Sequence, residues 1–227
     1  MINKYAQFIR ELRTGRGFPQ SFMADKLGIS RPSYIGIERG NRELTLEEAE
    51  KLKDLFGISI EEFASATLPE YEKYKQMILA YLKSSVSADG KVPKTKLAKL
   101  LYLADFAWYY QNLKSMSGMQ YLRRAHGPVP DSYFRALAEL EEEGKIFVDH
   151  KGDAFLVSLS GSSFNQNLDL LDTKEIELIK KISAKWKNKN TRDIVDFTHE
   201  QLPYKICAPD EAIPYELITQ QDPDYVY

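Results

Sequence analysis

The stretch QSFMADKLGISRPSYIGIERG, residues 20–40, decides how this chain is read. Two short segments flank the triplet Gly28, Ile29 and Ser30. A glycine just past a helix takes the left-handed conformation that closes it without steric cost. A serine ahead of the next helix accepts one of its unpaired N–H groups. Pro32 suits a first helical turn, where its missing N–H is not needed. The segment therefore predicts a helix ending near Leu27, a three-residue turn, and a second helix stopping at Gly40. Ala24 is small where the two helices would cross, and Ile29, Tyr34 and Ile37 would lock the second helix to a core. Its opposite face is left to Arg31, Pro32, Ser33 and Gly36.

The flanks agree with this reading. Upstream, Tyr5, Phe8, Ile9 and Leu12 follow the i, i+3, i+4, i+7 spacing of a helix with one apolar face. Pro19 suits the opening of the next helix, which turns Met23, Ala24 and Leu27 inward. Downstream, Thr45 and Glu48 have capping-box spacing, ahead of a helix expected to bury Leu46, Ala49, Leu52 and Phe56. ISIEEFA, residues 58–64, predicts a short closing helix. The expectation is a five-helix domain over residues 1–66, with a boundary at Ser65–Pro69 and a second domain over 69–227.

Charge divides the same way. The net charge is −2, yet residues 1–42 hold eight cations against three anions, which leaves the remainder at about −7. A basic end on an acidic chain points to an interaction surface for an anionic partner. The composition is otherwise that of a globular protein, 43% hydrophobic and 28% charged. The single cysteine, Cys207, rules out an intrachain disulfide or a cysteine-rich zinc site, and three histidines without ligand spacing argue against a metal. No run approaches the ~20 apolar residues that span a bilayer, and no signal peptide is evident, so a cytoplasmic protein without a membrane partner is expected.

The second half is expected to be mostly helical with one small β-hairpin. A helix from Pro69 to about Lys83 would set Tyr71, Tyr74, Ile78, Tyr81 and Leu82 on one side. Thr95 would cap an amphipathic helix carrying Leu97, Leu100, Leu101, Ala104 and Trp108 inward. Asp131 opens a helix ending at Gly144, and IFVDH with AFLVSL predicts the hairpin, turning at Lys151, Gly152 and Asp153. Asp172 with Glu175, and Asn190 with Asp193, start two last helices, followed by an irregular tail. No phosphate loop, nucleophile elbow or acid pair is present, so no catalysis and no cofactor are expected. Asp196 with His199 suggests a His–carboxylate pair, without a nucleophile nearby. The acidic run Glu139–Glu143 is a solvated helix face or a surface for a basic partner.

Two resemblances add to this. Gln20, Met23, Ala24, Gly28, Ile29, Ser30, Ile37, Glu38, Arg39 and Gly40 follow the pattern of the helix-turn-helix of lambda-type phage repressors, a fold also used by many antitoxins. The resemblance implies operator DNA as partner. Gln20 would hold a phosphate, Ser30 and Ser33 a phosphate or base edge, and Arg31 a guanine. Arg39, Asn41 and Arg42 would hold backbone. Pro32 and Gly36 depart from it where relatives often present base-contacting side chains, so affinity is expected to rest on phosphates. A homodimer is expected only because palindromic operators match two-fold proteins.

The second resemblance rests on Lys96, Leu97, Lys99, Leu100, Leu101, Tyr102, Ala104 and Trp108, then His126, Gly127, Pro128 and Val129, and later Thr198, His199, Pro203 and Tyr204. Residues 70–215 are similar to the Panacea, or SocA-like antitoxin, domain. That likeness implies neutralisation of a cognate toxin protein by direct binding. Tyr109, Tyr110, Tyr121 and Phe134 are the candidate toxin contacts, and His126 is expected to order its turn rather than do chemistry. The alternatives are a regulator whose second domain senses a ligand or partner, and a proteolytic adaptor.

Overall fold

Gly28, at φ +74°, closes one helix and allows the chain to reverse into the next. The computed structural model describes residues 4–56, 70–84, 89–152, 154–163 and 167–227. The chain divides into two compact units, Met1–Leu68 and Pro69–Tyr227.

In the first unit α1 (Lys4–Gly15), α2 (Gln20–Leu27), α3 (Arg31–Glu38) and α4 (Leu46–Phe56) surround one core. That core is Phe8, Ile9, Met23, Ala24, Leu27, Tyr34, Ile37, Leu52 and Phe56, with Leu12 and Ile29 packed against it. Ser30 caps α3 by accepting the Ser33 N–H at 3.2 Å. The Thr45–Glu48 capping box is formed, with bonds of 2.9 and 3.2 Å. Leu46 corrects the sequence reading: as first residue of α4 it stands 69% exposed, and Ala49 is only half-buried. The side chain of Tyr5 and the helix expected at 58–64 lie outside the described residues.

The second unit is organised around α6 (Lys94–Asn112), preceded by α5 (Tyr71–Lys83). Every residue of α6 from Lys96 to Ala107 is buried, so it is a central helix and not the amphipathic one its apolar spacing suggested. Trp108 is only half-buried. The two lysines in this buried stretch end on carbonyls. Lys96 Nζ donates to Trp186 O at 2.7 Å and Lys189 O at 2.6 Å, and Lys99 Nζ donates to Pro128 O at 2.9 Å. The helix begins one residue before Thr95, after Pro93 and without a capping side chain.

The expected hairpin forms from β4 (Ile146–Lys151) and β5 (Ala154–Leu159), paired Val148 to Val157. It gains a third strand, β1 (Val92–Pro93), so the sheet order is β1-β5-β4. A second antiparallel pair, β2 (Leu122–Arg124) with β3 (Gly127–Val129), forms where the prolines had only argued against helix. After α7 (Ser132–Glu142), α8 (Thr173–Trp186) and α9 (Thr191–Glu200) start at their capping boxes as expected. The tail folds back through α10 (Leu202–Ile206), burying Ile213, Ile218 and Val226.

Buried Asp105 fixes the loop after α6. Its carboxylate accepts from Ser117 N at 2.6 Å, Ser117 Oγ at 2.5 Å and Tyr121 OH at 2.8 Å, while burial pushes its pKa up to about 6. Asp105→Ala leaves three buried donors without an acceptor. It is expected to lower the unfolding free energy of this unit by about 3 kcal/mol or more in urea titration.

Candidate functional site

The first unit presents its candidate reading helix through one buried carboxylate. Glu38, on the last turn of α3, accepts from Arg13 Nε at 2.5 Å, Gln20 Nε2 at 2.9 Å and Tyr34 OH at 2.9 Å. Arg13 also donates to Phe18 O at 2.9 Å, across the α1–α2 connection. Helices α1, α2 and α3 are thus tied at one point. Burial opposes the charge on Glu38, but the donors from Arg13, Gln20 and Tyr34 outweigh it and hold the carboxyl below its ordinary value. Burial, and then the neighbouring Glu38, raise the Tyr34 phenol, so it stays a donor.

With α3 held this way, Arg31 and Pro32 at its first turn are exposed, Ser33 and Gly36 are half-buried, and Arg39 and Asn41 are exposed beyond its end. Arg31 and Arg39 stand in solvent, as base or phosphate contact requires. Ser30 and Ser33 are joined through their hydroxyls at 2.8 Å. Gln20 gives one amide N–H to Glu38; a primary amide has two, so one remains for a phosphate. Arg42 is held otherwise than expected. It grips Glu48 at 2.6 and 3.1 Å, so its charge is met inside the protein. Gly36 has a packing reason: its carbonyl accepts the Asn41 and Arg42 N–H groups, and a Cβ there would stand 3.4 Å from Arg42 Cβ.

In the second unit the two sequence motifs, about seventy residues apart, meet. His199 stacks on Tyr204 at 4.3 Å, and Tyr204 OH donates to Arg124 O at 2.9 Å, beside the β2–β3 turn. A Cβ on Gly127 (φ +93°) would lie 3.0 Å from Lys99 Nζ and 3.1 Å from His199 Nε2. The expected Asp196–His199 pair does not form: Asp196 is exposed and faces Arg192, and His199 Nε2 is buried without a partner. Lys99 appeared in the sequence only as part of a motif, and nothing there signalled its burial.

The candidate toxin contacts separate by exposure. Tyr121 is wholly buried and donates to Asp105, so as placed it serves the core. Tyr109 and Tyr110 are half-buried, Tyr109 stacking on Tyr215 at 5.5 Å. Phe134 is 54% exposed. His126 is exposed at the β2–β3 turn, whose reversal Gly127 supplies. Within the acidic run, Glu139 and Glu143 are partly met by Lys75, at 3.5 and 2.9 Å. Among the described residues no helix is long and apolar enough to cross a membrane.

The first unit thus sets two short helices, α2 and α3, about a tight turn, and the second is a separate, mostly helical unit. Residues 9–63 match the helix-turn-helix family model, and residues 97–204 match that of the antitoxin SocA-like, Panacea domain. The chain carries both domains in that order. It is 33% identical over 61 residues to the cryptic phage CTXphi transcriptional repressor RstR of Vibrio cholerae, covering 27% of this chain and 55% of that one. It is 31% identical over 68 residues to the SPbeta prophage-derived uncharacterized HTH-type transcriptional regulator YonR of Bacillus subtilis (strain 168), covering 30% and 63%. The chain thus spans little more than half the length of these relatives. No solved structure matches it.

Glu38→Ala leaves Arg13 and Tyr34 without their acceptor and is expected to destabilise the first unit by about 3–5 kcal/mol at pH 7. Because the folded carboxyl lies below its ordinary value, this contribution is present above about pH 4.3 and is lost as pH falls through the folded pKa. Urea melts of wild type and variant should therefore draw closer as pH falls below the ordinary carboxylate range.

Proposed function

We propose that the chain is a cytoplasmic, non-enzymatic antitoxin that also represses its own operon. The first domain, residues 1–66, binds operator double-stranded DNA. The second, residues 69–227, neutralises a cognate toxin by direct binding. The observation that carries the DNA half is Arg31: exposed on the first turn of a helix anchored at its other end by Glu38. Arg31 reads a guanine, while Gln20, Ser30, Ser33, Arg39 and Asn41 hold the backbone or a base edge. Arg42, bound to Glu48, contributes less than the sequence suggested. The match to a transcriptional repressor supports this half, and the Panacea match supports the other. Phe134, which is exposed, and the half-buried Tyr109 and Tyr110 form the toxin contact, since aromatic side chains commonly anchor interfaces. A homodimer on a two-fold operator follows from the DNA reading.

Arg31→Ala is expected to weaken binding to the gene's own upstream duplex by about 1–3 kcal/mol in fluorescence anisotropy, with an unchanged melting temperature. Wild-type affinity should fall steeply with salt. A folded wild-type protein that ignores this duplex at low salt would refute the operator reading. For the second half, a neighbouring reading frame lethal alone should be tolerated with residues 69–227. Tolerance that requires residues 1–66 would refute the division of labour.

A further inference from the structure

The second unit holds a cleft of about 690 Å³, within the range of small-molecule sites. Its wall includes Lys94, Lys99, Val129, Phe134 and Phe155. Two features mark it as more than a gap between elements. The first is charge. Lys99 is 2% exposed, and no carboxylate pairs with it among the described residues; its ammonium donates to the neutral carbonyl of Pro128. Burial of a cation in this way brings its pKa down to about 7. Lys94 likewise has no acidic partner among the described residues.

The groups around these lysines do not supply the missing negative charge. Arg124, from β2, is already bound to Asp131 and Asp210 at 2.7 and 2.6 Å, which accounts for the acid at the head of α7. His126 stands at the β2–β3 turn, and His199, from α9, turns an unpartnered Nε2 toward Gly127. Burial, and then the nearby charge of Lys99, lower the His199 pKa, which favours the neutral ring beside that lysine. The start of α6 lies in the same wall, through Lys94 and Thr95, and carries no acidic residue in its first turn.

The second feature is aromatic. Phe134 and Phe155 are 54% and 40% exposed, and the Lys94 ammonium lies 4.6 and 4.8 Å from their ring centres. Two large, partly exposed apolar rings beside a cation that has no acidic partner form a place for a flat body carrying a negative group.

We propose that this cleft binds a small organic anion, a carboxylate or phosphate on a planar apolar body. Lys99 and Lys94 meet the charge, and Phe134, Phe155 and Val129 cover the body. This goes beyond toxin neutralisation and gives the second domain a ligand of its own.

The test is calorimetric titration of the full chain with phenylacetate, indole-3-acetate and adenosine 5′-monophosphate. Each is set against its uncharged counterpart: phenylacetamide, indole-3-acetamide and adenosine. At least one anion is expected to bind at a single site, roughly tenfold or more tighter than its neutral partner. Lys99→Met and Lys94→Ala should each weaken it by about tenfold. The half-exposed Lys94 change keeps the test valid should the buried one impair folding. Affinity should also fall as pH rises from about 6.5 to 8.5, as Lys99 loses its proton. Equal binding of anion and neutral partner, indifference to the Lys94 change, or no saturable binding of any anion would overturn the proposal. A peptide ending in glutamate that binds where no free anion does would overturn it in favour of a protein partner. Loss of toxin neutralisation has no part in these readouts, so the two readings fail separately.

Discussion

A charged carboxylate inside a small helical domain survives only if donors surround it. Glu38 has three, one from each of α1, α2 and α3. Removing Glu38 leaves buried donors unmet, and removing a donor leaves a buried charge less fully met; either costs more than the net worth of one hydrogen bond. The arrangement therefore acts on geometry more than on total stability. It fixes the angle at which α3 leaves the core, and so decides which side chains of its first turn stand in water. Arg31 is one of them, and Tyr34 and Ile37 are not, because their side of the helix is already in the core.

The second unit uses buried charge differently. Helix α6 is enclosed along most of its length, yet three charged side chains lie within it. Lys96, with two carbonyl acceptors, and Asp105, with three donors, attach α6 to the α8–α9 connection and to its own following loop. Lys99 is given one carbonyl and a neighbouring histidine ring. The two lysines of one helix thus differ in how fully the protein's own acceptors meet their charge.

Much of the first unit was legible because its signals are local. A glycine that must be left-handed, a serine cap and a capping box each act within four residues, and each is found where the sequence placed it. The Glu38 network was not legible, since it joins residues up to 25 positions apart and no local rule pairs them. Arg42 shows the same limit: counted as a free cation in a window ending at residue 42, it is neutralised by Glu48 just beyond. In the second unit the capped helices and the hairpin were evident, while the β2–β3 pair and the packing around α6 were not. Both depend on contacts between distant segments, as does the burial of Tyr121, whose aromatic character alone had suggested a surface role.

The central claim is that α3, oriented by Glu38, enters DNA with its first turn. It is tested most directly by backbone and arginine side-chain nuclear magnetic resonance of the full chain titrated with its upstream duplex. The account predicts that the largest shifts gather at Ser30–Gly36 with Arg39 and Asn41, and that the Arg31 Nε–H signal becomes protected from exchange. Shifts that bypass α3, or that cluster within residues 70–227, would contradict it.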